Sequence, residues 1–89
     1  GIIDEFLKAN PMVKLYVTGH TDDTGNFESN KKLSEERATA IVNYMINKHN
    51  ISGERLQPLG VGPASPASTN RSEEGRAKNR RVELVEKLN

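Results

Sequence analysis

Cysteine is absent from the chain, which excludes disulfides and thiolate metal sites. A run of 18 or more apolar residues is also missing, so no segment reads as a membrane-spanning helix, and no stretch has the basic flank and apolar centre of a signal peptide. Tryptophan is lacking too. The aromatic residues are Phe6, Tyr16, Phe27 and Tyr44, too few and too scattered to offer nucleic-acid bases a stacking platform. Charge of one sign is not in excess: 13 basic residues face 12 acidic ones, and a net charge of +1 creates no global field toward nucleic acid or an anionic membrane. The basic group Arg71, Arg76, Lys78, Arg80 and Arg81 is interspersed with Glu73, Glu74 and Glu83, as on a solvated mixed-charge face. Internal repeats and low-complexity segments are absent. The loop from Gly62 to Ser68 lacks the glycine spacing and the lysine of a phosphate cradle.

What is present is enough for one small domain. Eighty-nine residues, 34% of them hydrophobic, build a modest core, and a chain of this size buries roughly 60 to 65% of its unfolded surface. Ile2, Ile3, Phe6 and Leu7 recur at helical spacing until Asn10-Pro11 stops them. No capping side chain precedes that helix, so the pattern reads as the last part of a longer one. From Met12 to Thr18 the period is two, predicting a strand with Val13, Leu15 and Val17 on its inner face. A polar turn, Gly19 to Gly25, follows. The next helix is predicted to begin between Asn26 and Asn30 and to run to about Asn47.

Beyond the breaker around Gly53, Arg55 to Val61 reads as a short strand that Pro58 confines to a sheet edge or a bulge. Asn70 and Glu73 have capping-box spacing, which predicts a brief helix from Arg71 to Lys78 weakened by Gly75. Alternation resumes from Arg80 to Val85, with Val82 and Leu84 on one face. This order predicts an α+β fold: a two-layer α/β sandwich, a mixed β-sheet with helices on one face.

The chemistry concentrates in the turn and the helix after it. Counted at about 100° per residue from Leu33, Arg37 falls inside the arc that carries Ile41, Met45 and Ala38. A guanidinium there needs a partner. Two readings stand. Either Arg37 pairs with Asp22 or Asp23 or snorkels to water, or it offers its planar fork to a ligand carboxylate while Asp22 receives a ligand ammonium. Asn30, two turns before Arg37 on the same helix face, either starts the helix or orients loop or ligand. His20, Asp22, Asp23 and His49 lack the count and grouping of a metal site, and no nucleophile and base accompany the carboxylates.

The blocks Gly19-His20-Thr21-Asp22, Gly25, Asn30, Leu33-Ser34, Arg37-Ala38, Gly60-Val61-Gly62, Pro66, Asn70, Gly75-Arg76-Ala77 and Asn79-Arg80-Arg81-Val82-Glu83 resemble the OmpA-like C-terminal domain. That domain occurs in porin-like outer-membrane proteins, peptidoglycan-associated lipoproteins and flagellar stator subunits. The resemblance runs in register from about Met12 to Leu84. It implies a non-enzymatic module without cofactor or metal, in the periplasm of a Gram-negative cell envelope, that binds peptidoglycan non-covalently through the diaminopimelate of its stem peptide. In the family pattern Asp22 matches the residue that holds the ammonium and Arg37 the one that holds the carboxylate, while Thr24, Asn30 and Arg80 match positions that add hydrogen bonds. The alternative is a protein-interaction or oligomerisation module of the same fold that does not bind the wall. Residues 1–89 are then one such domain, N-terminally truncated, with the first strand of the family fold missing. An unpaired sheet edge invites a second chain, so a homodimer is among the expected partners. Any membrane attachment would lie in regions outside this chain.

Overall fold

The computed structural model describes residues 1–88. Helix α1, Ile2–Ala9, ends where the Asn10 side-chain amide donates to the Phe6 carbonyl at 2.8 Å. Strand β1 is Leu15–Gly19, three residues shorter at its start than the alternation predicts. Pro11 and Met12 are spent in a turn closed by the Val13 N–H on the Asn10 carbonyl, and the Met12 side chain points to solvent. Helix α2, Phe27–His49, is capped by the Asn26 side chain, which accepts from Ser29 N. It outlasts the predicted end by two residues and closes on Asn50, whose φ of 56° is the left-handed turn that asparagine tolerates.

After a 3-10 turn at Gly53–Arg55, strand β2 is Leu56–Gly60. Helix α3, Glu73–Asn79, precedes strand β3, Val82–Glu86. The α3 cap is Ser72, whose hydroxyl accepts from Gly75 N, and not Asn70 as the capping-box spacing predicts. Asn70 serves another purpose, described below. The sheet order is β2-β1-β3, parallel between β1 and β2 and antiparallel between β1 and β3. Pro58 therefore lies on an edge strand, where its missing N–H costs no central ladder bond. Three helices and a three-stranded mixed sheet make this an α+β fold, as the element order implies.

One core joins the layers. Leu7 of α1, Leu15 and Val17 of β1, Ala38, Val42 and Met45 of α2, Ile51 and Leu56 are all buried together. The buried stripe of α2 is Ser34, Ala38, Val42 and Met45, which leaves Leu33 40% exposed and Arg37 on the outside. The arc drawn from Leu33 is thus rotated by about one residue, because Ser34 rather than Leu33 faces the sheet. That exchange has a packing cause. Gly19 and Gly60, at the ends of β1 and β2, let the backbone of α2 come so close that a Cβ on either would collide with the Ser34 carbonyl or the Glu35 amide. Only a small residue fits there, and the Ser34 hydroxyl also accepts the Gly62 N–H at 2.9 Å while donating to the Lys31 carbonyl at 2.8 Å.

Arg55 ties the first segment to the sheet. Its guanidinium donates to the carbonyls of Leu7, Asn10 and Val13 at 2.7, 2.6 and 3.0 Å, satisfying acceptors that the end of α1 leaves open. At the opposite end of β1 three loops meet. The His20 N–H donates to the Arg81 carbonyl, Thr21 N–H to Gly62, and Val61 N–H to Gly19.

Candidate functional site

The turn after β1 is built around Asp22, 8% exposed. One carboxylate oxygen accepts the Thr24 N–H at 2.9 Å, an Asx-type turn, and the other accepts Arg80 Nη1 at 2.7 Å. These two contacts hold its carboxyl below the usual aspartate range, the Thr24 amide contributing most and Arg80 next. Asn30, one turn into α2, donates its side-chain amide to the Thr24 carbonyl at 2.8 Å. Of the roles open to it, the geometry gives Asn30 that of bracing the loop.

Arg80 is the residue that spacing alone overlooks as a partner for Asp22. It lies 58 positions away in the chain, immediately after α3. Besides Asp22 it bonds Glu73, Nη2 to Oε1 at 2.6 Å, and Glu73 in turn accepts Arg76 Nε at 3.2 Å. Arg80 draws the Glu73 carboxyl below its ordinary range, and Glu73 followed by Asp22 favours the charged guanidinium. Arg37, by contrast, makes no ion pair among the described residues. The pairing of Arg37 with Asp22 or Asp23 that one reading of the sequence offered is not formed.

Arg37 and Arg80 nevertheless share a cleft. Gly19, His20, Arg37, Arg80, Arg81 and Val82 line a volume of about 290 Å³; Asp22 is not among the lining residues and is tied to the cleft only through its bond to Arg80. His20 lies beneath it, 4% exposed. Its Nε2 approaches Glu83 Oε1 at 2.9 Å without hydrogen-bond alignment, so neither ring nitrogen has a hydrogen-bond partner. Burial first, then the neighbouring Arg81, pushes the imidazole below its usual range, against the pull of Glu83. The neutral ring is favoured under a strongly cationic rim.

The position of Arg80 depends on Asn79, which is fully buried. Its side-chain oxygen accepts the N–H groups of Ala67 and Ser68 at 2.7 and 2.9 Å; its amide donates to the Ser68 carbonyl at 3.0 Å and to Asn70 Oδ1 at 2.7 Å. Gly75 admits the same loop from above: a Cβ there would collide with the Thr69 carbonyl oxygen. The glycine that weakens α3 as a helix is what lets α3 dock. Chemically, three guanidinium groups line the cleft, Arg80 paired with Asp22 and Glu73 and Arg81 with Glu83, while Arg37 has no ion pair among the described residues and is open to a carboxylate. Among the described residues no three His, Cys, Asp or Glu side chains group as metal ligands.

Comparison with known proteins bears on this geometry. A model of the OmpA family matches residues 2–80. The chain is 42% identical over 79 residues to outer membrane porin F of Pseudomonas aeruginosa, covering 89% of this chain and 23% of that protein. It is 39% identical over 79 residues to the peptidoglycan-binding protein ArfA of Mycobacterium tuberculosis, covering 89% of this chain and 24% of that one. Among solved structures, the peptidoglycan-associated lipoprotein of Burkholderia pseudomallei superposes with a TM-score of 0.87 at 26% identity, over 97% of this chain and 72% of that chain. The chain thus spans about a quarter of the length of these two curated relatives.

Proposed function

This chain belongs to the OmpA family, and we propose that it binds peptidoglycan non-covalently, without catalysis, and anchors a cell-envelope protein to the wall from the periplasmic side. The ligand is the diaminopimelate headgroup of the stem peptide. Asp22 receives its ammonium, Arg37 and Arg80 its carboxylate, and Thr24 and Asn30 hold the loop that presents Asp22.

One observation carries this reading: Arg37 is uncommitted to any ion pair among the described residues, yet faces the same cleft as Arg80, the partner of Asp22. A guanidinium with no carboxylate of its own, in a cleft whose other arginine is bonded to a carboxylate, is complementary to a group bearing both charges. ArfA is a peptidoglycan-binding protein and the Burkholderia lipoprotein is peptidoglycan-associated, which supports the same polymer as ligand. Hydrogen bonds to charged groups contribute about 1.5 to 3 kcal/mol each when buried and less at an open site. A single site is therefore weak, and anchoring relies on many copies engaging one polymer.

Co-sedimentation with purified diaminopimelate-containing sacculi tests the proposal. Arg37→Ala removes an exposed side chain that has no ion pair among the described residues, so it should leave the fold intact by circular dichroism and abolish sedimentation. Asp22→Asn, which keeps an acceptor for Thr24 N, should do the same. Sedimentation of both variants at the wild-type level would overturn the site and favour a protein-interaction role for the fold.

A further inference from the structure

Asp22 has no idle oxygen. Thr24 N–H takes one acceptor site of Oδ1 and Arg80 Nη1 one of Oδ2, so an incoming ammonium has to share the carboxylate with a guanidinium. Two cations on one carboxylate repel, and the arrangement would exclude an ammonium if Arg80 had no other anchor. It has one in Glu73, at 2.6 Å through Nη2. Glu73 is itself braced, its second oxygen on Arg76 Nε at 3.2 Å while Arg76 Nη1 is tied to the Asn70 carbonyl at 3.1 Å. Glu73 stands in the first turn of α3, and its side chain is 66% exposed, against 12% for Asp22. Nothing in the core requires it.

We propose that Glu73 is a positioning residue of this site: by holding Nη2 of Arg80 it competes for that guanidinium's charge and so leaves Asp22, still bonded through Nη1, able to receive an ammonium group. Arg76 on the second Glu73 oxygen makes the four-group cluster neutral overall, so what Glu73 supplies is a second carboxylate for Arg80 and not a net charge. Without Glu73 the charge of Arg80 falls on Asp22 alone, and the pair is neutral. Glu73 therefore acts on ammonium recognition and not on carboxylate recognition, which rests on Arg37 and Arg80. The inference depends on the zwitterion reading of the cleft given above.

The separation of the two charges supplies the test. The probes are meso-diaminopimelate and pimelate, the same seven-carbon dicarboxylate without its amino groups, titrated against the 89-residue chain with NMR detection of the backbone amides around Thr24 and Arg80. Glu73→Gln should weaken diaminopimelate binding by about two- to fivefold, the range of an exposed charge contact, and leave pimelate binding equal or tighter. Glu73→Asp, which restores the charge, should recover diaminopimelate binding. Equal weakening of both probes would make Glu73 merely structural and overturn the proposal. So would a Glu73→Gln variant indistinguishable from wild type while Asp22→Asn loses diaminopimelate, which leaves the wall-binding reading intact. If diaminopimelate does not bind the wild-type chain, or Asp22→Asn does not weaken it, the zwitterion reading falls and this inference with it.

Discussion

Replacing Asn79 by alanine removes no charge and no apolar contact of size, yet the structure assigns it a large cost. Four hydrogen bonds end on this one buried amide. Its removal leaves the N–H groups of Ala67 and Ser68, the Ser68 carbonyl and the Asn70 side-chain oxygen without their partners. An unpaired buried polar group costs about 1 to 3 kcal/mol. Because Ala67 is exposed and Ser68 half-buried, water can reach part of the loop, and the low end applies: about 1 kcal/mol for each N–H, with about 1 kcal/mol more for the void left by the amide. The sum, roughly 3 kcal/mol, is a large share of the 4 to 13 kcal/mol typical of about ninety residues. At roughly 4 to 8 °C per kcal/mol it lowers Tm by about 12 to 24 °C. Thermal melts followed by circular dichroism measure it directly. Asn79→Asp keeps both accepted bonds but sets a carboxylate oxygen against the Ser68 carbonyl, and its Tm should lie between those of wild type and alanine. A fall of less than about 4 °C for Asn79→Ala, or an aspartate variant as stable as wild type, would refute the claim that this amide holds the loop.

Two further substitutions probe neighbouring features. Gly75→Ala ought to stabilise an ordinary helix by about 0.5 to 1 kcal/mol, but the collision with the Thr69 carbonyl reverses the sign here; a loss of roughly 1 to 3 kcal/mol in urea titration is expected, with Lys78→Ala on the same helix neutral as control. For His20, the folded-state pKa is depressed below its value in the unfolded chain, so the unfolded state binds more protons and stability is full above about pH 6.5 and declines as pH falls from there through the lowered folded value. Asp22, Glu73 and Glu83, all lowered, withdraw their contributions only at more acid pH. Urea titrations at pH 7 and pH 5 should therefore show wild type weaker at pH 5 and His20→Gln largely indifferent, whereas equal wild-type stability at both would exclude the buried neutral imidazole.

The parts of this fold legible in the chain are those written in local periodicity. Leu15 and Val17 alternate with polar neighbours, and the strand follows, though without Val13; Pro58 marks an edge, and β2 is one. The misread features arise where a distant segment decides. The periodicity puts Arg37 in the apolar arc of α2 because Leu33 looks like a core residue, while the seam runs through Ser34, set by two glycines on other elements. Asn70 looks like a helix cap, but Ser72 caps and Asn70 answers Asn79. Spacing offers Asp22 only its neighbours and Arg37 as partners, since nothing in a linear pattern links it to Arg80 across most of the domain. Family resemblance supplied Arg80 as a site position without its internal bonds to Asp22 and Glu73.

That long-range bond carries a consequence for the life of the molecule. Closing a loop of 58 residues is paid in chain entropy before any contact rewards it, so the carboxylate, the helix-borne guanidinium and the residue after α3 converge only as the chain completes its collapse. A nascent or partly unfolded copy has the residues but no grip. On the proposed wall-binding role, capture by the polymer is reserved for finished molecules, and each captured one is held folded by mass action, since a ligand that binds only the native state shifts the balance against unfolding.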